Sequence, residues 1–335
     1  MNTIATFIEQ LPKAELHLHL EGAVSPALFA RLRDKYDVSA PEAAGMETGH
    51  FPDLAAFLAV YGQVCSCMRD LEDFRDATHA ALGRAADSGA RYVELFFSPA
   101  AHEAVIDYRS MVDGIVAGMH AARKDWDLVA RLIPAHNREL GLERGMAFLE
   151  TVLSHRPPEV IGIGLDYAER PHPPGKFAPL FAAARAEGLQ VTAHAGEDGP
   201  ASYVRDAIDL LGCRRIDHGY HVVDDPALVE RCKELDILFT VCPTTTLHTT
   251  IWRDLHSPDH AIRRMIEAGL RVTINTDDPG LFATTLNREY TLAAEAFALS
   301  EATLADIAAN GLNYCWSPQA LRDPPSAATS TEARR

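Results

Sequence analysis

Four short segments concentrate the residues able to hold a metal or move a proton. They are Glu15-Leu-His17-Leu-His19-Leu-Glu21-Gly22, Val191-Thr-Ala-His194-Ala-Gly196-Glu197, Arg215-Ile-Asp217-His218-Gly219 and Val272-Thr-Ile-Asn275-Thr-Asp277-Asp278-Pro279. Each closes a hydrophobic run that reads as a strand. Three imidazoles and one carboxylate at the ends of parallel strands make a zinc-type shell of nitrogen and oxygen, with iron and manganese as other ions it could load. A fourth histidine and a free glutamate remain for proton transfer. The combination points to metal-assisted hydrolysis, with a water activated on one divalent ion.

The spacing supports a shared site. Side chains alternate along a strand with period two, so His17 and His19 share a face. Two histidines buried for packing alone would need partners for both ring nitrogens. His194, His218 and Asp277 at the ends of other strands make a common metal site the better reading. Glu197 follows His194 by three residues. Taken alone it is an acid favoured at a helix N-terminus; beside a metal-type histidine it reads as a general acid, kept protonated by a low-dielectric pocket. Asp277 and Asp278 point to opposite sides if the chain stays extended. If it turns at Pro279, both face the pocket, one toward metal and water and the other toward substrate. The other reading of Asp278 is a cap on the following helix. His50, His79, His102, His120 and His155 read as surface or packing residues, while His221 and His248 have no assignment.

These segments need a scaffold that gathers strand ends. Apolar, β-branched-rich runs recur at Ala14–Leu20, Tyr92–Phe97, Leu128–Ile133, Val160–Leu165, Leu189–His194, Arg215–Gly219, Ile237–Val241 and Arg271–Thr276. Most are apolar on both faces, as in a covered parallel sheet. Helical spacing separates them at Asp70–Asp87, Arg109–Lys124, Pro179–Glu187, Pro226–Leu235 and Asp259–Ala268, and Gly269 reads as a helix stop. Eight alternations predict an α/β fold, a closed (β/α)8 TIM barrel, with a doubly wound open sheet as the alternative. No glycine-rich phosphate loop follows the first strand, which disfavours the open sheet. The barrel puts all four chemical segments at strands one, five, six and eight, on the C-terminal face where barrel sites form.

The first connection, about seventy residues from Gly22 to Arg91, must hold extra helices. Leu54, Phe57 and Tyr61 lie on one helical stripe, read as core packing or as an apolar lid. Residues 1–322 read as a single hydrolase domain and 323–335, rich in Pro, Ser, Ala and Thr, as a disordered tail.

Composition narrows the partners. The chain has 335 residues, 47% hydrophobic and 23% charged, with a net charge of -16. That charge argues against nucleic acid or an anionic membrane surface. None of the six cysteines forms a CxxC pair, which predicts a reducing cytoplasm. The N-terminal segment reads as a short helix and not as a signal peptide, and no apolar run is long enough to span a membrane.

Taken as a set, Leu11-Pro-Lys-Ala-Glu15-Leu-His-Leu-His-Leu-Glu-Gly22, His194-Ala-Gly-Glu197, Asp217-His218-Gly219 and Asn275-Thr-Asp-Asp-Pro279 resemble the adenosine/adenine deaminase family of metal-dependent amidohydrolases. The resemblance runs from about Leu11 to about Tyr290. It implies a zinc barrel that replaces the 6-amino group of a purine with oxygen. By the same resemblance His17, His19, His194 and Asp277 are the ligands of one zinc per chain. Glu197 gives a proton to ring N1, His218 orients and deprotonates the attacking water, and Asp278 meets purine N7. Strand four, Ile161-Gly-Ile-Gly-Leu165, offers no lysine to bridge a second metal, so the site implied is mononuclear.

Glu21, read with Asp278 as a substrate-binding residue, stands where nucleoside-specific members usually carry an Asp that reaches the sugar. With Gly164-Leu-Asp-Tyr-Ala-Glu169, Pro173-Pro-Gly-Lys-Phe177 and Asp198-Gly-Pro200, it is closer to the branch acting on free adenine. Gly219-Tyr220-His221 resembles the adenosine branch instead, and Thr244–Trp252 departs from both. Adenine is thus the expected substrate, with adenosine or a modified adenine or adenine nucleoside as alternatives. An ester, lactone or phosphotriester hydrolase and a silent binding protein are the remote readings.

Overall fold

A computed structural model of the chain describes residues 3–38, 45–46, 48–51 and 54–321. Eight strands pair in parallel in chain order. They are β1 (Lys13–His19), β2 (Ala90–Phe97), β3 (Val129–Asn137), β4 (Gly162–Asp166), β5 (Gln190–His194), β6 (Arg215–Asp217), β7 (Leu238–Val241) and β8 (Arg271–Ile274). Past the end of β8 the chain returns to β1. The His19 N–H donates to the Asp277 carbonyl at 2.8 Å, and the Asp277 N–H donates to the His17 carbonyl at 3.1 Å. The Asn275 side chain completes the seam by accepting the Leu16 N–H at 2.8 Å. The fold is the expected (β/α)8 barrel, and this return excludes the open sheet.

Every residue of β1, β4, β6 and β7 is buried, as strands covered by helices outside and filled inside must be. Three strands end two or more residues from where the sequence pattern puts them. β3 runs on through Pro134 to Asn137, because Ala135, His136 and Asn137 still pair with β4. β6 stops at Asp217, where His218 and Gly219 turn with φ of +65° and +76°. β8 stops at Ile274, before the turn made by Asp277 with φ of +63°.

The helices surround this cylinder. α1 (Thr3–Gln10) precedes β1. The long first connection holds α2 (Pro26–Tyr36), α3 (Leu54–Cys67) and α4 (Leu71–Asp87). α4 begins in a capping box, with Asp70 and Asp73 each accepting the other's backbone N–H. α5 (Tyr108–Trp126), α6 (Gly141–Ser154), α7 (Ala178–Ala186), α8 (Ala201–Asp206) and α9 (Pro226–Glu234) follow β2 to β6 in turn. The segment after β7 forms α10 (Pro243–Thr249) and α11 (Ala261–Glu267). Two further helices, α12 (Leu286–Phe297) and α13 (Glu301–Tyr314), follow β8. Predicted and observed helix ends differ by no more than two residues, within the fraying of helix termini.

The N-terminal end of the barrel is filled. Arg215 is buried against Glu94, and its guanidinium lies 3.7 Å from the centre of the Trp316 ring. Ala14, Leu16, Tyr92, Val129 and Leu238 pack there as a separate apolar layer. The opposite end stays open as a cavity. The tail predicted at 323–335 lies outside the described residues. No helix among them is long and apolar enough to cross a membrane.

Candidate active site

Four side chains from three strands converge at the C-terminal end of the barrel. His17 Nε2 lies 3.3 Å from His19 Nε2 and 3.1 Å from His194 Nε2. His19 Nε2 is 3.3 Å from His194 Nε2. Asp277 Oδ1 sits 3.2 Å from His17 Nε2 and 3.4 Å from His19 Nε2. Ligand atoms ~2.0–2.1 Å from a tetrahedral ion lie about 3.3–3.4 Å from one another. Five of the six separations therefore match the edges of a zinc-sized tetrahedron, and the sixth, between His194 and Asp277, is longer. Three imidazole nitrogens and a carboxylate oxygen gathered this closely make a donor set that fits a metal. A second combination, with His218 in place of His19, also brings its ligand atoms within 4.8 Å of one another. The tighter set is the one containing His19.

The surroundings fix which nitrogen faces inward. Thr240 Oγ1 donates its single proton to Asp217 Oδ1 at 3.1 Å. Toward His17 Nδ1, 2.9 Å away, the same hydroxyl is left as acceptor. Nδ1 of His17 therefore carries the proton and Nε2 presents a lone pair to the cluster. Asp217 also accepts from Thr192 Oγ1 at 2.9 Å and stands 3.6 Å from His194 Nδ1. Thr245 Oγ1 donates to the outer oxygen of Asp277 at 2.9 Å, leaving Oδ1 for the cluster.

Glu197 and His218 lie beside this set. Glu197 Oε2 is 3.6 Å from His218 Nε2, and its Oε1 accepts a short bond from Thr249 Oγ1. Burial and the Asp277 carboxylate push the Glu197 acid up to about 8. Burial and the His17 imidazole pull His218 down to about 3, so its ring is neutral near pH 7. A protonated acid and a neutral base thus stand side by side, the pairing that proton transfer needs. Glu197 is in the loop before α8 and caps no helix.

Asp278 is buried and lines the same cavity. It does not cap the next helix, since Thr285 caps α12. Both aspartates reach the site because the chain leaves extended geometry at Asp277 itself. Burial and Asp277 raise the Asp278 acid well above the ordinary carboxylate range. Glu21 is placed differently from a wall residue. It is fully buried beneath the cavity, where its Oε1 accepts from the Ser98 N–H at 2.9 Å and faces His102 Nε2 at 3.0 Å. Burial opposes its ionisation, but His102 and the Ser98 N–H together outweigh that and lower its pKa.

The cavity measures about 160 Å³. Phe57, Tyr61 and Tyr167 give it an apolar wall. The α3 stripe therefore serves both predicted ends, since Phe57 and Tyr61 are buried and also face the cavity; the Leu54 side chain lies outside the described residues. His248 stacks on Phe282, with ring centres 4.9 Å apart, and His221 bonds Asp224 at 2.6 Å. Thr245 and Thr249 were not singled out within the unusual Thr244–Trp252 segment, because a threonine run carries no periodic signal. Asp166 and Glu169 could have been found, as they are acids at and just past the end of β4.

Known proteins resemble this chain over most of its length. The family model described as adenosine deaminase matches residues 12–323. An adenine deaminase of Cupriavidus necator is 39% identical over 319 residues, covering 94% of this chain and 90% of that protein. One from Rhodospirillum rubrum is 38% identical over 324 residues, covering 94% and 95%. The crystal structure of an adenine deaminase from Arthrobacter aurescens superposes with a TM-score of 0.87 at 31% identity, covering 93% of this chain and 98% of that one. A Burkholderia ambifaria amidohydrolase solved with bound zinc gives 0.88 at 33%, covering 96% and 91%.

Proposed function

The chain belongs to the adenosine deaminase family, and from that premise and the cavity's geometry we propose that it hydrolyses adenine to hypoxanthine and ammonia. One observation carries the reading. A carboxyl kept protonated, Glu197, stands in the same cavity as four converging nitrogen and oxygen ligand atoms. Simple ester or lactone hydrolysis has no ring nitrogen for that proton, whereas a cyclic amidine does.

His17, His19, His194 and Asp277 would hold one zinc ion. The donor set supports zinc, and so does the zinc bound in the Burkholderia relative. When bound, the ion supplies Lewis acidity that makes hydroxide available near neutral pH. The chain's own residues do the rest. His218, neutral and facing the cluster, takes a proton from the attacking water. Glu197 gives its proton to N1 as oxygen adds to C6, so that charge does not build on the ring. The C6 carbon becomes tetrahedral, ammonia leaves with the proton returned by His218, and the hydroxyl proton passes to Glu197 as the carbonyl forms. Asp278, protonated, donates to N7 and orients the base.

Free adenine is favoured over adenosine on two grounds. The curated relatives at 36–39% identity bear the name adenine deaminase. The cavity of about 160 Å³ is also on the scale of the ~150 Å³ space that accepts a benzene ring, which leaves little for a sugar. All six cysteines are free and buried, which supports a reducing cytoplasm as the protein's location. The net charge of -16 supports a small neutral substrate and not a polyanion. Ammonia release from adenine, adenosine and N6-methyladenine, measured in parallel, tests the proposal. A higher kcat/KM for adenosine would refute the free-base reading.

A further inference from the structure

We propose that Asp166 recognises the free base itself, by accepting a hydrogen bond from purine N9–H, and so excludes N9-substituted purines. The inference deepens the adenine reading and rests on it.

Asp166 ends β4 and is buried to 2% exposure, yet it lines the cavity. Its Oδ2 accepts from Ser98 Oγ at 2.9 Å. Its Oδ1 is buried and has no hydrogen-bond partner among the described residues. Buried carboxyl oxygens are almost always paired, and leaving one unpaired is costly. An unpaired oxygen on a side chain that lines the cavity is therefore suited to a donor carried in by the substrate.

The order of the strands says which donor. Reaction at the ligand cluster puts C6 there, with N1 toward Glu197 past β5 and N7 toward Asp278 past β8. Going round the ring from N1, N3 and N9 precede N7. Going round the barrel from β5, the strands β4, β3, β2 and β1 precede β8. The N3/N9 edge thus faces the side formed by β1 to β4. On that side Asp166, Ser98 and Glu21 form one bonded unit. The Ser98 hydroxyl holds Asp166, and the Ser98 N–H is held by Glu21. The unit is braced from behind by His102. It gives Asp166 a fixed orientation, which recognition by a single oxygen needs.

Charge state agrees with an acceptor. Burial raises the Asp166 acid to about 7, so the carboxylate is present at and above neutral pH. Adenine in its N9–H form offers the matching donor. Adenosine and 9-methyladenine carry carbon at N9 and leave Oδ1 unpaired against a bulky group. Sites built to bond a substrate N–H reject analogues lacking it by up to ~10⁴–10⁵-fold.

The test is kcat/KM for adenine and for 9-methyladenine in the unaltered enzyme, in Asp166→Ala and in Asp166→Asn, with thermal melts to verify folding. The unaltered enzyme is expected to prefer adenine by at least ~10²-fold. In Asp166→Ala, turnover of adenine should fall at least tenfold while that of 9-methyladenine holds or rises, so the ratio collapses. Asp166→Asn keeps a similar volume and serves if the alanine variant does not fold. The Ser98 hydroxyl then engages its oxygen and leaves an NH2 facing N9–H, so its ratio should fall too. A merely structural role for Asp166 lowers both substrates by one factor, and an unmoved ratio in a folded variant overturns the proposal. An unaltered enzyme that releases no ammonia from adenine overturns the deaminase reading, and this inference with it.

Discussion

The Glu169 carboxylate accepts the backbone N–H of Glu197 at 2.7 Å, which fixes the loop that carries the proposed acid. The same carboxylate takes the N–H groups of Gly196 and Gly199 at 2.9 and 3.1 Å. At the root of the loop, the buried Arg138 guanidinium donates to the His194 carbonyl. The chain from β5 to α8 is thus clamped by two charged groups, and the Glu197 side chain is aimed by backbone held on both sides. Bonds to an ionised acceptor are worth about 1.5–3 kcal/mol each.

Glu169→Gln replaces one of those acceptor oxygens with an NH2 that opposes a backbone N–H. The expected outcome is a kcat lower by about 10²-fold, the scale of a misplaced reacting group, with KM for adenine much less affected and bound metal retained. The melting temperature should drop as well. Wild-type kcat in this variant would show that the clamp does not position Glu197.

Glu197→Gln removes the proton donor while keeping the side chain's size and its bond to Thr249. Turnover of adenine should fall by at least ~10²-fold with zinc content and fold intact. Steady-state kinetics and metal analysis on the same preparation check both halves. Near wild-type turnover would end the case for Glu197 as the acid.

The pH dependence follows from the sign of the Glu197 shift. Its acid is raised to about 8, so the protonated form that donates to N1 is full well below that pH. It is lost as pH rises through the folded value. kcat/KM for adenine should therefore fall about tenfold per pH unit above roughly 8, and below about 7 it should decline as the Asp166 carboxylate proposed to accept N9–H takes up its proton. His218, pulled down to about 3, stays neutral across that range and adds no limb there. A profile flat to pH 10 would contradict the assignment.

The barrel was legible because its strands are apolar on both faces and its chemical residues end them. His17 and His19 could be placed on one face from spacing alone, and Asp277 from the run it closes. The ends of β6 and β8 were not legible, because His218 and Asp277 adopt positive φ, which nothing in a non-glycine residue announces. His102 illustrates a second limit. Its loop surroundings suggested a surface or packing residue, but it is fully buried and bonded to Glu21, a partner eighty-one positions away. Thr245 and Thr249 were hidden for the same reason: their partners, Asp277 and Glu197, come from other turns of the barrel.

Thr240 gives the sharpest test of how the metal site is tuned. Its hydroxyl proton goes to Asp217, and its oxygen accepts from His17 Nδ1. Thr240→Val removes the hydroxyl at nearly constant volume, so packing in β7 is kept. The His17 ring then loses the contact that fixes its tautomer, and a population with the proton on Nε2 can bind no ion. Partners of this kind are worth 10–100-fold in metal affinity, so zinc Kd should rise by about that factor. Competition against a chromogenic chelator measures it directly, independent of turnover. Asp217 keeps its bond from Thr192, so His194 should not be disturbed and excess zinc should restore activity. A zinc Kd equal to that of the unaltered protein would mean that the His17 tautomer is set by the ion alone.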